Sequence, residues 1–369
     1  MSDAEKDLQE ACRGESLDAN ASLAAVVSMF AYLVTVLLSR GGVLDALAPG
    51  TALWWAVRFM NYLCYASVNC FVMSVSWLLI TKGFSWLRAA DMLLSLLLWS
   101  VVFFAAAFRM DPAAYHFSPS LFFRVFMPFV SGSFGLPSLL IALYIVSPFI
   151  AGSLSRMTVG QHASLCFMMV LMLSFIPGVL VFSDACYALH GRSLIWFVTL
   201  FILSAYIRRD PGIIKLSASS SFCFWLACAA VTTAAMYVLP GALYSVFGKN
   251  SYASSIYEYN SILTLCSSFF MFAGFMRLKP VKWSLCGLLP DLVPLMLGVC
   301  IIAACPWTDK FIYGRLASPR RFAGTAAVIP LSLMYTLAIF AVALSAEFIR
   351  KTLFSMLLGS RNEVSEDGR

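Results

Sequence analysis

The chain has 369 residues, of which 61% are hydrophobic and only 12% are charged, and its mean hydropathy is +0.86. A soluble domain averages about 45–50% apolar and about 25% charged residues, so this composition excludes an ordinary soluble protein. The formal net charge of +7 comes from basic residues scattered between apolar blocks, which is not the pattern of a nucleic-acid-binding protein.

Ten apolar blocks have the length that crosses a bilayer, and they predict a single all-α membrane domain of ten transmembrane helices over residues 21–350. Residues 1–20 are polar and acidic and predict a solvated cytoplasmic tail rather than a signal peptide. Residues 351–369 predict a second, charged cytoplasmic tail, disordered over Arg361–Arg369. The predicted spans are residues 21–39, 59–80, 88–108, 134–152, 163–183, 193–207, 218–240, 260–277, 284–304 and 326–349.

The distribution of lysine and arginine predicts the orientation. With the N-terminus inside, fifteen of the 25 basic residues fall on the short inner segments and ten on the longer outer ones. Positive charge is typically enriched in cytoplasmic loops. We therefore expect a multi-pass membrane protein with both termini in the cytoplasm, and the family resemblance given below implies a bacterial-type plasma membrane.

Eight of the 11 cysteines lie inside apolar blocks, where cysteine behaves as a small hydrophobic residue. No cysteine or histidine spacing suggests a zinc site. Cys186 and Cys305 lie in or near outer loops, and the sequence leaves open whether they form a disulfide.

Polar residues within spans are costly in a membrane and indicate either function or helix–helix hydrogen bonding. Arg58, Asn61 and Asn69 are spaced to share one side of the second helix, and hydrogen bonding between helices is the favoured interpretation. Asp291, in the ninth span, is either a partner for a basic residue or part of a cavity. The run 257–260 (Tyr-Glu-Tyr-Asn) either binds a sugar or anchors the eighth span at the interface, and the anchor is favoured.

Four segments, in order along the chain, carry a family resemblance. Phe122–Ile150 contains Arg124 and Pro128 and then the run Leu143-Tyr144 followed by Ser147-Pro148-Phe149. The others are Asn69–Leu78, Ser193–Arg208 (SLIWFVTLFILSAYIR) and Tyr259–Phe270, which begins Tyr-Asn-Ser. Together they resemble the acyltransferase-3 family, ten-helix bacterial enzymes that acylate sugars and other cell-surface molecules.

The resemblance implies a reaction and its partners. A cytoplasmic acyl-coenzyme A is the expected co-substrate, with no bound cofactor and no metal. An acyl group of acetyl type passes to a hydroxyl of a cell-surface glycan or lipid-linked sugar near the outer face. The residues expected to bind substrates are Arg40, Asn69, Arg88, Tyr144, Trp196 and Asn260.

The first helix lacks the family's chemistry. The resemblance places a basic residue at position 25 and a histidine at position 36, where this chain has Ala25 and Val36. Valine has no polar atom, and arginine, which occupies a second histidine position at Arg40, does not deprotonate in proteins. A family tryptophan is replaced by Gly135, and a late histidine expected around Ala304–Pro306 is absent.

Two further expectations concern charged residues. A family Arg-x-x-Arg pattern survives only as Arg88-Ala-Ala-Asp91, in which Asp91 is placed to pair with Arg88. Each of the three histidines (His116, His162 and His190) is first a candidate solvated loop residue. His116 is the best substitute base, because it shares a long outer loop with Arg124.

Three functional hypotheses follow. The first is a divergent membrane acyltransferase. The second is a catalytically inactive relative that serves as a scaffold or binds a glycan or lipid. The third and weakest is a transporter or flippase, because no internal repeat and no run of intramembrane carboxylates is apparent.

Overall fold

The computed structural model describes residues 3–81, 83–115, 118–179, 189–247, 257–279 and 288–366, and all regular secondary structure in these ranges is helical. The α-helices of eight or more residues are α1 (Asp3–Arg40), α2 (Ala52–Tyr65), α3 (Ser67–Leu79), α4 (Trp86–Met110), α5 (Pro119–Phe126), α6 (Leu136–Ser155), α7 (Val159–Val170), α8 (Leu194–Arg209), α9 (Ala218–Phe247), α10 (Ile262–Met276), α11 (Leu289–Ala304) and α12 (Val328–Glu366).

Six helical segments of the described chain are long and apolar enough to cross a membrane. They are Gly14–Arg40, Ala52–Leu79, Trp86–Met110, Leu136–Ser155, Ala218–Ala242 and Val328–Met356, and three shorter apolar helices accompany them. About 20 residues of helix span the hydrocarbon core. The all-α membrane architecture is therefore supported, and each of the ten predicted spans overlaps a helix, while the count of ten crossings stays a prediction.

Helix α1 lies at the centre of the bundle, where it packs against α2, α3, α10, α11 and α12. In an 18-residue apolar stretch of α1, 78% of the residues are buried, compared with 17% in the corresponding stretch of α9. Small side chains on α1 such as Ala21, Ala24 and Ala25 are fully buried, which lets neighbouring helices approach closely. Residues near the end of α1 are therefore enclosed by other helices.

Helices α4, α9 and α12 form the periphery and expose large apolar side chains, including Val102, Phe224 and Met334. Exposed apolar surface of this extent is unfavourable in water and is suited to lipid. The outer helices thus carry the membrane-facing surface, and the polar residues of interest lie between them and α1.

The predicted second span consists of two helices that meet at Ala66. Helix α2 starts at Ala52 because the Thr51 hydroxyl accepts from the Trp54 amide at 3.1 Å, which satisfies an otherwise open helix end. At the junction, the Ser268 hydroxyl of α10 donates to the Ala66 carbonyl at 2.8 Å. Arg58 therefore lies on α2 and Asn69 on α3, so the prediction that one unbroken helix carries them is wrong.

Both predicted tails are largely helical. Helix α1 begins at Asp3, and its polar first half is held by hydrogen bonds. Trp77 Nε1 and Arg208 Nη1 each donate to Asp18 Oδ1 at 2.9 Å, and Asn20 Nδ2 donates to the Leu278 carbonyl at 3.0 Å. At the other end, α12 continues to Glu366, so the stretch predicted to be disordered is helical over residues 361–366.

Candidate functional site

A cavity of about 450 Å³ lies where α1 ends, on the face that the charge distribution predicts to point outward. Its volume falls within the range of small-molecule sites. Its walls come from α1, α2, α3, the start of α6, the turn before α8, the residues before α10 and the end of α11. They include Tyr32, Thr35, Val36, Ser39, Arg40, Tyr65, Val68, Gly132, Ser133, Phe134, Gly135, Leu136, Leu139, Gly191, Arg192, Phe197, Tyr259 and Ala304.

Positions at which the family resemblance predicts functional side chains converge on this cavity. Val36, Arg40, Gly135 and Ala304 all line it, although they come from three segments far apart in the sequence. None of the described side chains in the lining is a histidine, aspartate or glutamate. The cavity therefore sits where catalysis is expected, but its lining lacks a conventional base.

Ala25, the position expected to be basic, lies deeper in the membrane domain and does not line this cavity. It is fully buried in the helix-packing core, eleven residues and about 16 Å along α1 from Val36. In this chain the position serves close packing, because a small side chain there lets the neighbouring helices approach.

Two tyrosines and one arginine form the polar wall of the cavity. The Tyr65 and Tyr259 rings stack with centroids 4.5 Å apart, and the Arg192 guanidinium carbon lies 5.8 Å from the Tyr259 ring centroid, within cation–π range. Burial raises the pKa of Tyr259 above its ordinary value, and the positive charge of Arg192 opposes this only in part. Tyr259 is therefore a neutral phenol at pH 7, a hydrogen-bond donor rather than a base.

The turn before α8 has an unusual backbone and places Arg192. Leu189, His190 and Gly191 have φ values of 46°, 57° and 78°, a left-handed region that disfavours most side chains. A Cβ at Gly191 would lie 2.6 Å from the amide nitrogen of Asn260 and from the Cβ of Tyr259. The turn is thus pressed against the chain that carries Tyr259. His190 Nδ1 lies 4.0 Å from Glu258 Oε1 across this contact.

Three residues predicted to bind substrate are placed behind the cavity wall rather than in its lining. Asn69 Nδ2 donates to the Tyr259 carbonyl at 2.7 Å, and Asn69 Oδ1 accepts from Trp196 Nε1 at 3.1 Å. Asn260 Nδ2 donates to the Leu173 carbonyl at 2.8 Å. All three are buried. The interpretation of Asn69 as a helix–helix hydrogen-bonding residue is confirmed, and its effect on the cavity is to position Tyr259.

Tyr144 and Arg88 lie away from the cavity. The Tyr144 hydroxyl accepts from the Ser85 amide at 3.0 Å and donates to the Ser85 carbonyl at 3.3 Å, which ties α6 to the start of α4. Arg88 is exposed in the first turn of α4. Asp91 pairs with Arg350 at 2.8 Å, so the predicted pair with Arg88 is wrong, because Arg350 reaches both Asp91 oxygens from another helix.

The remaining predicted candidates are on the side predicted to face outward or outside the described chain. Arg124 is exposed on α5, with its guanidinium carbon 5.4 Å from the Trp307 ring centroid, and it does not line the cavity. His116 lies outside the described residues. Cys186 does too, so the described residues do not address the question of its pairing with Cys305.

Two other predictions about ionisable residues are wrong. His162 is buried on α7, with Nε2 3.0 Å from the Ile202 carbonyl oxygen, not on a solvated loop. Asp291 is exposed in the first turn of α11, where a carboxylate interacts favourably with the helix N-terminus. It is neither a buried partner nor a cavity residue.

A buried charged cluster was not predicted from the sequence. Glu347 and Arg350 on α12 are 1% and 4% exposed and pair at 2.8 Å. Trp99 Nε1 donates to Glu347 Oε2 at 2.9 Å. A Cβ at Gly298 of α11 would overlap the Glu347 carboxylate. The available signal was the spacing of Glu347 and Arg350, three residues apart at the end of the last apolar block.

A second cavity of about 260 Å³ lies at the opposite, predicted cytoplasmic end. Trp77, Arg277 and Lys279 are among its lining residues. It adjoins the Asp18–Arg208 ion pair, whose atoms are 2.9 Å apart, and the Arg208 guanidinium carbon lies 4.7 Å from the Trp77 ring centroid. Two basic side chains at the mouth of an apolar cavity suit a phosphorylated ligand.

Within the described residues, no group of three or more histidine, cysteine, aspartate or glutamate side chains is arranged to hold a metal ion. No family model matches the chain, and no significant match was found among curated proteins or solved structures.

Proposed function

We propose that the chain is a divergent integral-membrane acyltransferase of acyltransferase-3 type, with ten crossings and both termini in the cytoplasm. It transfers an acetyl-type acyl group from acyl-coenzyme A to a hydroxyl of a lipid-linked sugar or cell-surface glycan. The acceptor binds in the cavity at the end of α1. The supporting observation is that Val36, Arg40, Gly135 and Ala304, aligned with the family in separate segments, line one cavity.

The reaction needs a general base, because a hydroxyl is a weak nucleophile. We assign this role to His190, which directly precedes the cavity-lining residues Gly191 and Arg192. Glu258 Oε1 lies 4.0 Å from Nδ1 of His190, and in the proposed reaction it moves to hydrogen-bond distance when the acceptor binds, which orients Nε2 toward the acceptor hydroxyl.

The proposed step balances as follows. The thioester end of the donor reaches the outer cavity from its site at the cytoplasmic end, and the acceptor oxygen attacks the thioester carbon while its proton passes to His190 Nε2. The carbon–sulfur bond then breaks, and the coenzyme A thiolate takes that proton as it leaves. Hydrogen-bond donors stabilise the oxyanion formed between these events, and Arg192 and the neutral Tyr259 hydroxyl are the donors available in the wall.

The second cavity supports a donor site at the cytoplasmic end. Arg277 and Lys279 lie at its lining, and coenzyme A phosphates need cationic partners of this kind. The Arg277 guanidinium also donates to the Ile214 carbonyl, which fixes its position beside the cavity. We assign these two residues to binding of the donor.

The proposal is tested by acyl transfer in membrane vesicles that contain the full chain. Radiolabelled acetyl-coenzyme A is supplied, and label is counted in extracted glycolipid and glycan. Val36→Trp fills the outer cavity and is expected to reduce transfer at least tenfold. Val102→Trp, on the lipid-facing side of α4, is the matched control and is expected to retain transfer. Transfer that is absent from wild-type vesicles, or unchanged in Val36→Trp, refutes the proposal.

A second candidate function is glycan or lipid binding without catalysis. It is favoured by one observation, which is that no histidine or carboxylate is among the described side chains lining the cavity. Binding of acyl-coenzyme A to the purified protein separates the two functions, because a non-catalytic binder has no need of the donor. Loss of that binding in Arg277→Gln with Lys279→Gln supports the enzyme, and absence of binding in the wild type supports the second candidate.

A further inference from the structure

We propose that the acceptor bound in the outer cavity carries a negative charge, as a carboxylate or phosphate attached to a sugar. This inference deepens the proposed function, from which it takes the hydroxyl-bearing acceptor, by naming the charged group that the acceptor presents to Arg40 and Arg192.

The first argument is the charge of the lining. Arg40 and Arg192 reach the cavity from α1 and from the turn before α8, and no acidic side chain among the described residues lines it. Glu258 lies beside this wall, near His190. Among the described residues that line the cavity, the charged side chains are the two arginines. Apolar walls such as Phe134 and Phe197 lower the local dielectric and strengthen attraction for an anion.

The hydrogen-bonding groups of the cavity wall also favour an anion. A guanidinium has donors and no acceptor, and burial keeps Tyr259 protonated. Tyr65 and Tyr32 add further phenols to the same lining. A neutral sugar offers hydroxyls that need acceptors as well as donors, whereas carboxylate and phosphate oxygens only accept at neutral pH. The phenols and the lining hydroxyls of Thr35, Ser39 and Ser133 both donate and accept, whereas the two guanidiniums only donate, so it is the arginine part of the wall that matches an anionic group.

Arg192 is also held rigidly in the wall. Arg192 lies against the Tyr259 ring, and Asn69 holds the Tyr259 backbone from behind. The turn that carries Arg192 is pressed so tightly on Asn260 that a Cβ at Gly191 would lie 2.6 Å from the Asn260 amide nitrogen. A cation held in place before binding loses little entropy when it meets its ligand. Arginines on a predicted outer face also run against the usual enrichment of positive charge inside.

The experiment compares two ligands that differ in one carboxylate. The purified full chain, in nanodiscs of neutral phosphatidylcholine, is titrated with octyl β-D-glucuronide and with octyl β-D-glucoside. We expect the glucuronide to bind at least tenfold more tightly. Arg192→Gln is expected to reduce this preference to less than threefold, while Arg192→Lys keeps most of it. Arg124→Gln removes an arginine of the same predicted face outside the cavity and is expected to leave the preference unchanged.

Other ligands identify the source of the charge. Competition by glucose 1-phosphate at concentrations where inorganic phosphate does not compete supports a sugar-bound anion, and equal competition by inorganic phosphate overturns that part. Equal affinities for the glucuronide and the glucoside overturn the proposal, as does loss of the preference in Arg124→Gln. These binding assays contain no acyl donor. If the protein prefers the glucuronide but transfers no acyl groups, the proposed function is refuted and the inference of an anionic acceptor stands. Acyl transfer without any preference refutes this inference alone.

Discussion

The contact between Gly298 and the buried Glu347–Arg350 pair gives the sharpest stability prediction. Glu347 on α12 lies directly over Gly298 of α11, and a methyl group added there would overlap its carboxylate. The carboxylate accepts from Arg350 at 2.8 Å and from Trp99 at 2.9 Å. Gly298→Ala must therefore displace a buried charge from both of its partners.

The magnitude follows from the burial of the pair. Overpacking a core typically costs about 1–3 kcal/mol, and removing one partner of a buried ion pair costs about 3–5 kcal/mol. Gly298→Ala is expected to fall in the first range or above it, and Glu347→Ala in the second. In the double variant the methyl group enters the space that the glutamate leaves. Its stability should therefore equal that of Glu347→Ala, a coupling of about 1–3 kcal/mol.

The assay is reversible unfolding of the purified protein by sodium dodecyl sulfate in mixed micelles, followed by circular dichroism. Gly152→Ala on α6 is the matched control, because a Cβ there meets no atom within 4 Å. It should be neutral or stabilising by up to about 1 kcal/mol, as expected for glycine to alanine in a helix. Equal destabilisation by Gly298→Ala with and without Glu347 would refute the reasoning.

Three further outcomes are expected. His190→Asn should abolish acyl transfer in the vesicle assay, because asparagine suits the left-handed backbone but cannot act as a base. Added imidazole should restore part of the transfer. The control Leu189→Asn, in the same turn, should leave transfer intact. Asn69→Leu should destabilise the protein by about 1–3 kcal/mol by orphaning buried groups, and adding Trp196→Phe should recover stability in the unfolding assay without recovering glucuronide affinity. Gly191→Ala should weaken glucuronide binding at least tenfold by displacing the turn, and unchanged affinity would contradict the packing argument.

Hydropathy predicted the helices well, because the length and composition of a local segment are enough to identify a membrane-spanning helix. What it missed depends on partners distant in sequence. The junction at Ala66 is stabilised by Ser268, about 200 residues later, and Asp91 pairs with Arg350 rather than with its neighbour Arg88. No local pattern around either residue specifies these contacts.

The family resemblance marks Val36, Gly135 and Ala304 in separate segments, and the structure brings the three positions to one cavity. That this cavity is the functional site stays a prediction. The tyrosine stack and the role of Arg192 were not apparent, because Tyr65, Arg192 and Tyr259 come from three separate segments. The signal that was available, an arginine following a glycine before a span, is too common to single out a site.

The polar frame behind the cavity argues that binding, rather than stability, explains its residues. Asn69 and Trp196 are fully buried. Trp196 donates to Asn69, and Asn69 donates to the Tyr259 carbonyl. Hydrogen bonds between helices in a membrane contribute little net stability, commonly about 0.6 kcal/mol, and well-packed apolar residues would serve the bundle as well. Apolar residues would not hold Tyr259, and with it Arg192, at a fixed place in the wall. The frame is therefore consistent with the proposed function, in which this wall binds the acceptor.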